Sequence, residues 1–223
     1  RQINLPRIQI NMPSITDKDR SDISLGMKLG VDLIALSFVR ERKDVVELRE
    51  ILKAANSDAK IVSKIEDQQA VQNLFDLIDA SDAIMVARGD LGIECPYEEL
   101  PIIQRRAVKA CIRYGKPVIV ATHMLESMIE NPMPTRAEVT DVANAVFEQA
   151  DAIMLSGETT VGKYPLECVE VLNRIARRIE RSGGAGYAEA AELRDERQKV
   201  VRAAVVMANE LKAKGILVFT RHG

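Results

Sequence analysis

The sequence has few cysteines, no block of like charge and no long apolar run, and each scarcity narrows what the protein can be. Cys95, Cys111 and Cys168 are its only cysteines, odd in number and far apart. They form neither a CxxC pair nor a zinc-site spacing, so they read as reduced structural thiols rather than a disulfide framework or metal ligands. The 31 basic and 33 acidic residues are interspersed, giving a net charge of −2 and no face suited to nucleic acid or a membrane surface. No stretch approaches the ~20 apolar residues of a membrane-spanning helix, and no charged-then-apolar leader opens the chain. The expected partners are small molecules or protein, and the expected location is the cytoplasm. Residue 1 is Arg rather than Met, and residue 223 follows directly on a strand-like run, so a chain cut at both ends is expected.

What is present is a periodic pattern. The 223 residues are 47% hydrophobic, enough for a real core. Apolar runs rich in β-branched residues recur at 32–39, 60–66, 83–90, 117–124, 152–158 and 215–221. Between them lie segments of helical spacing, such as Val45-Val46-Leu48-Ile51-Leu52, Val71-Leu74-Phe75-Ile78 and Val169-Leu172-Ile175-Ile179. Continuous apolar strands alternating with helices imply an α/β fold with a parallel sheet buried on both faces, either a barrel or an open doubly wound sheet. Asp82-Ala83-Ile84-Met85 and Asp151-Ala152-Ile153-Met154 are the same quartet, and Val31-Asp32-Leu33-Ile34 is a looser copy, as a barrel of like modules would produce. Thr135-Arg136-Ala137-Glu138 reads as a helix capping box. Gly183, Gly184 and Gly186 open a linker over 183–194, so residues 1–182 form the barrel portion and 195–223 begin a second α/β domain.

In parallel α/β sheets the chemistry gathers at the C-terminal ends of the strands, and here every run ends in polar residues. Ser37 lies near the end of the first run. Lys64 and Glu66 end the second, Arg88 and Asp90 the third, Thr122 and His123 the fourth, Ser156 and Glu158 the fifth. Residues two apart share a strand face, which makes Lys64 with Glu66, Arg88 with Asp90, and Ser156 with Glu158 same-side pairs at one mouth. Buried charges must be paired or metal-bound. The mouth is therefore either an ion-pair network or a hard-cation site in which Glu66 and Asp90 offer oxygens to Mg²⁺ while Lys64 and Arg88 face an anion. Gly89-Asp90-Leu91-Gly92 can turn into a short helix with free backbone N–H groups.

The segments IVSKIED (61–67), IMVARGDLGIE (84–94), ATHMLESMIENPMPTRAEVTDVANAV (121–146) and DAIMLSGETTVGKYPLE (151–167) resemble the characteristic blocks of the pyruvate kinase family, in order and along the whole chain. The resemblance implies strands four to eight of a (β/α)₈ TIM barrel followed by the start of a C-terminal effector domain. It implies transfer of the phosphoryl group of phosphoenolpyruvate to ADP, giving pyruvate and ATP. Lys64 would face the transferring phosphoryl group and the enolate oxygen, Glu66 and Asp90 would ligate Mg²⁺ (or Mn²⁺), and the N–H groups of Gly89 and Asp90 would hold the substrate carboxylate. Thr122 would lie on the face of the enolate where it is protonated, positioning the substrate or a proton-carrying water. Arg88, Ser156 and Glu158 would support these from behind, and His123 stands where many members have Gln. The same resemblance places the K⁺ ligands and a lid domain before this chain, reads 3–19 as the exit from that lid and 218–223 as the start of an effector phosphate loop. It implies an allosteric homotetramer at full length. Five of eight strands cannot close a barrel, so this chain alone is expected to be inactive and poorly ordered. Two other readings stay open: a Mg²⁺-dependent aldolase or phosphomutase of the phosphoenolpyruvate/pyruvate barrels, and a scaffold fragment without catalysis.

Overall fold

The computed structural model describes residues 14–187, 193 and 195–219, arranged in two compact units, Arg1–Ala190 and Ala191–Gly223. The expected lid exit at 3–19 and effector loop at 218–223 fall largely outside the described residues.

The first unit alternates strand and helix. After α1 (Asp17–Leu29) come β1 (Leu33–Leu36), α2 (Arg42–Ala54), β2 (Lys60–Ile65), α3 (Gln68–Gln72), α4 (Leu74–Ala80), β3 (Ala83–Ala87) and α5 (Arg88–Glu94). Then follow α6 (Leu100–Tyr114), β4 (Val118–Ala121), α7 (Arg136–Phe147), β5 (Ala152–Met154), α8 (Gly157–Thr160) and α9 (Pro165–Glu180). The strands pair in parallel in the order β1-β2-β3-β4-β5. A doubly wound sheet reverses its order at a switch point, whereas here every neighbour is the next strand in sequence, the order of a barrel segment. The repeated quartets open β3 and β5.

Local sequence fixes the element ends. Thr16 and Asp19 form a capping box at α1, which stops at Gly30 in the left-handed region (φ 71°). Thr135 and Glu138 form the expected box at α7. Asn73 divides the helical pattern of 71–78 into α3 and α4, and its side chain donates to the Arg40 carbonyl at 2.8 Å. The core lies between sheet and helices. Ile61, Ile84, Val118 and Val120 of the strands are fully buried, as are Leu48 of α2, Leu74, Leu77 and Ile78 of α4 and Val108 and Cys111 of α6. Each such side chain contributes roughly 1.5–3 kcal/mol. β2 and β3 are the best covered, whereas β1 and β5 each pair on one side only among the described residues.

Three expectations need correction. The sixth run forms no strand over its described residues 215–219: a strand requires a ladder partner, none is present among the described residues, and Leu217 (83%) and Phe219 (92%) stand exposed. In the second unit the described element is α10 (Glu196–Glu210). The third and fifth runs end earlier than their polarity implied, at Ala87 and Met154, because the chain turns at once into α5 and, after Leu155 and Ser156, into α8. The start of the glycine stretch is docked rather than loose. The Ala185 N–H bonds the Phe147 carbonyl at 2.8 Å, and a Cβ on Gly184 would meet the Gln149 side chain at 2.7 Å.

Candidate functional site

Glu66 follows the last residue of β2 and is 2% exposed, so its charge needs partners. One oxygen takes the Lys64 ammonium at 2.5 Å, and the other accepts the Phe38 N–H at 2.6 Å. Lys64 also donates to the Ser37 hydroxyl at 2.8 Å. Phe38 sits in the left-handed region (φ 54°), which turns its N–H from the end of β1 toward the carboxylate of the next module. The same-side pairing of Lys64 and Glu66 is thus a closed ion pair bridging two strand ends.

Arg88 and Asp90 do not share a face. They sit on α5, where two residues turn the side chain about 200° rather than returning it to the same side. Arg88 goes inward (9% exposed) and Asp90 is half-buried. The Arg88 guanidinium donates to the Thr122 carbonyl from Nε (3.1 Å) and Nη2 (2.5 Å), and to the His123 carbonyl from Nη2 (3.1 Å). Its Nη1 holds Asp141 of α7 at 2.8 Å and Gln104 of α6 at 3.3 Å. Thr122 and His123 follow β4, and the Thr122 hydroxyl accepts the Gly89 N–H at 2.9 Å. A Cβ on Gly89 would sit 3.3 Å from His123 Nε2 and 3.4 Å from that hydroxyl oxygen, so the site is close-packed around this residue. His123 pairs with Glu126 at the surface at 2.6 Å.

Ser156 and Glu158 likewise do not line up along a strand. Glu158, 2% exposed on α8, folds back to accept the N–H groups of Ser156 (2.8 Å) and Leu125 (3.0 Å). Its carboxylate ties the β5 exit to the β4 exit.

The carboxylates of Glu66 and Asp90 stand after adjacent strands, and Asp90 has no side-chain partner among the described residues. Two hard oxygen donors without sulfur fit a small divalent cation such as Mg²⁺ or Mn²⁺ that keeps several ligands from water and substrate. An open groove of about 250 Å³ runs past Arg88, Gln104, His123 and Asp141; Lys64, Glu66 and Thr122 do not line it. Ser37, Phe38, Gln104 and Asp141 complete these contacts. Ser37 had a signal, its place at the end of the first run. Gln104 and Asp141 had none, because they reach Arg88 from helices 16 and 53 residues further on.

Fold and site together define a segment of a parallel α/β barrel whose strand ends present one lysine, three carboxylates and a threonine–glycine contact. The barrel-domain model of pyruvate kinase matches residues 1–169. The chain belongs to the pyruvate kinase family. It is 51% identical over 181 residues to the pyruvate kinase of Geobacillus stearothermophilus, covering 81% of this chain and 31% of that protein. Against the pyruvate kinase of Borreliella burgdorferi it is 53% identical over 182 residues, with 81% and 38% covered. Against that of Mycobacterium intracellulare it is 46% identical over 221 residues, with 99% and 47% covered. The chain therefore spans between about a third and a half of the length of these relatives.

Proposed function

We propose that the protein carrying this sequence transfers the phosphoryl group of phosphoenolpyruvate to ADP, giving pyruvate and ATP in glycolysis. The observation that carries this reading is the ion pair of half-buried Lys64 with buried Glu66, with Asp90 after the neighbouring strand and Thr122 on Gly89, all at the ends of the adjacent strands β2, β3 and β4. Lys64 offers a fixed positive charge where the phosphoryl group leaves and the enolate oxygen becomes negative. Glu66 and Asp90 would hold Mg²⁺ or Mn²⁺, which supplies charge neutralisation at the substrate oxygens when bound. The Gly89 N–H is engaged by Thr122, so a substrate carboxylate arriving at the Gly89 and Asp90 amides takes it over and frees the Thr122 hydroxyl. That hydroxyl then orders the proton, or the water bearing it, that reaches the enolate carbon. Arg88, Ser156 and Glu158 act from behind, through backbone groups.

The wider assignments are part of the same proposal. K⁺ is required, with ligands outside this chain; the full-length protein is an allosteric homotetramer in the cytoplasm, without nucleic acid or membrane partners. No helix among the described residues is long and apolar enough to cross a membrane. A 223-residue polypeptide alone, with β1 and β5 each paired on one side only among the described residues, does not turn over. The test is a pyruvate-release assay on the full-length protein. ADP-dependent release from phosphoenolpyruvate, abolished by Lys64→Met while Mg²⁺ binding persists, supports the proposal. Pyruvate formed from a hydroxy-keto acid without nucleotide, or unchanged turnover in Lys64→Met, refutes it.

A further inference from the structure

Two consecutive non-glycine residues in the left-handed region end β4, Thr122 at φ 70° and His123 at φ 52°. L-residues hold that conformation only where the surroundings impose it. The Arg88 side chain holds both peptide units, since its Nε and Nη2 donate to the carbonyl of Thr122 and its Nη2 also donates to that of His123, while the Thr122 N–H bonds the Met154 carbonyl at 3.3 Å. With both carbonyls gathered on one planar fork, the two peptide units cannot relax independently.

The fork is itself aimed. Nη1 lies between Asp141 Oδ1 and Gln104 Oε1. Gln104 is 2% exposed, and its amide nitrogen donates to Glu148 at 3.0 Å, so its oxygen has a fixed direction toward Arg88. Glu148, 1% exposed, is held in turn by Arg105 at 2.9 Å. The loop then closes on itself: Arg88 grips the Thr122 backbone, and the Thr122 hydroxyl grips the N–H of Gly89, the residue after Arg88.

We propose that Arg88 is a positioning residue that sets the direction of the Thr122 hydroxyl through the Thr122 and His123 carbonyls, with Gln104 orienting the guanidinium. Arg88 does not touch substrate in this scheme. A lysine keeps the charge but has one compact ammonium, which cannot meet two carbonyls and a carboxylate in one plane. This inference rests on the reading of Thr122 as the group facing the enolate.

The test is a double-mutant cycle in the full-length protein, assayed with phosphoenolpyruvate and ADP. Arg88→Lys lowers kcat by about 10- to 100-fold, the range for a lost supporting contact. The KM for phosphoenolpyruvate stays within about threefold, because ground-state binding is untouched. In a Thr122→Ala background the same change lowers kcat by less than about threefold, since the group it positions is already gone. Gln104→Ala, which keeps Arg88 but not its aim, follows the same pattern with a smaller loss and decides the matter if Arg88→Lys fails to fold. Equal losses in both backgrounds, or a KM rise that accounts for the whole effect, overturn the role of Arg88. A wild-type protein without phosphoryl transfer removes the reading of the site itself, a distinct result.

Discussion

The Asp151 carboxylate accepts the backbone N–H of Val118 at 2.8 Å, so a residue just before β5 satisfies the first donor of β4. Asp82, at the head of the matching quartet before β3, accepts the N–H of Ile61 in β2 at 2.7 Å and also holds Arg49 at 2.6 Å. The repeated aspartate is therefore a cap on the preceding strand. Asp32 occupies the same place before β1 and has no side-chain partner among the described residues.

Removing either cap leaves a donor unpaired at a fully buried residue, since both Ile61 and Val118 have no exposure. Asp151→Ala and Asp82→Ala should each cost about 1–3 kcal/mol in urea unfolding, while Asn, which keeps an acceptor oxygen, costs less. Asp32→Ala should cost the least. Equal losses at all three positions would contradict the capping role.

Glu138 makes stability depend on pH. Burial pushes its carboxyl up, but the hydroxyl and N–H of Ser127 and the N–H and hydroxyl of Thr135 together leave it below the ordinary glutamate value of 4.5. A depressed folded value means the contribution is complete above the unfolded value and is lost as pH falls through the folded one. Glu138→Gln should therefore lower the melting temperature at about pH 7, and the gap to wild type should narrow as pH falls below the ordinary glutamate value of 4.5. Melts across that range settle it; a gap that widens in acid has the wrong sign.

Gly162 admits no side chain. A Cβ there would lie 2.3 Å from the Glu158 carbonyl oxygen, backbone that cannot swing away. Gly162→Ala should destabilise by about 1–3 kcal/mol and disturb the Glu158 carboxylate that joins the β4 and β5 exits. Gly215→Ala, with nothing within 4 Å, is the control and should leave the melting temperature unchanged.

The cysteines should resist alkylation in the folded protein. Burial, with the nearby charge of Asp151 adding to it, pushes the Cys111 thiol up to about 12, and burial also raises Cys95 and Cys168. At about pH 8 only roughly one Cys111 in ten thousand would be thiolate. Mass spectrometry after iodoacetamide should find Cys111 unmodified until urea is added. Labelling at equal rates in both states would contradict the burial of Cys111.

Much of this was legible in the sequence. β1 to β5 could be placed because strands of a parallel sheet read as short, continuously apolar runs between helices, although β1 and β5 are less covered than β2 and β3, and Lys64 and Glu66 could be paired because alternation puts them on one side. Legibility failed where the period changed. After Ala87 and Met154 the chain leaves the strand within a residue or two, so Arg88 and Asp90, and Ser156 and Glu158, part company although their spacing matches that of Lys64 and Glu66. The left-handed pair at Thr122 and His123 had no glycine to announce it, because a guanidinium 34 residues away in sequence holds it. The quartets announced a repeat, but what the aspartate does emerged only with the neighbouring strand in place.

The strand order has a consequence in time. Since each of the five described strands pairs with the next one in the chain, a ribosome would release them in the order in which they pair. The aspartates set the rhythm of that growth. β2 stands uncapped until Asp82 emerges 21 residues after Ile61, and β4 until Asp151 emerges 33 residues after Val118. Each new module completes the one made before it.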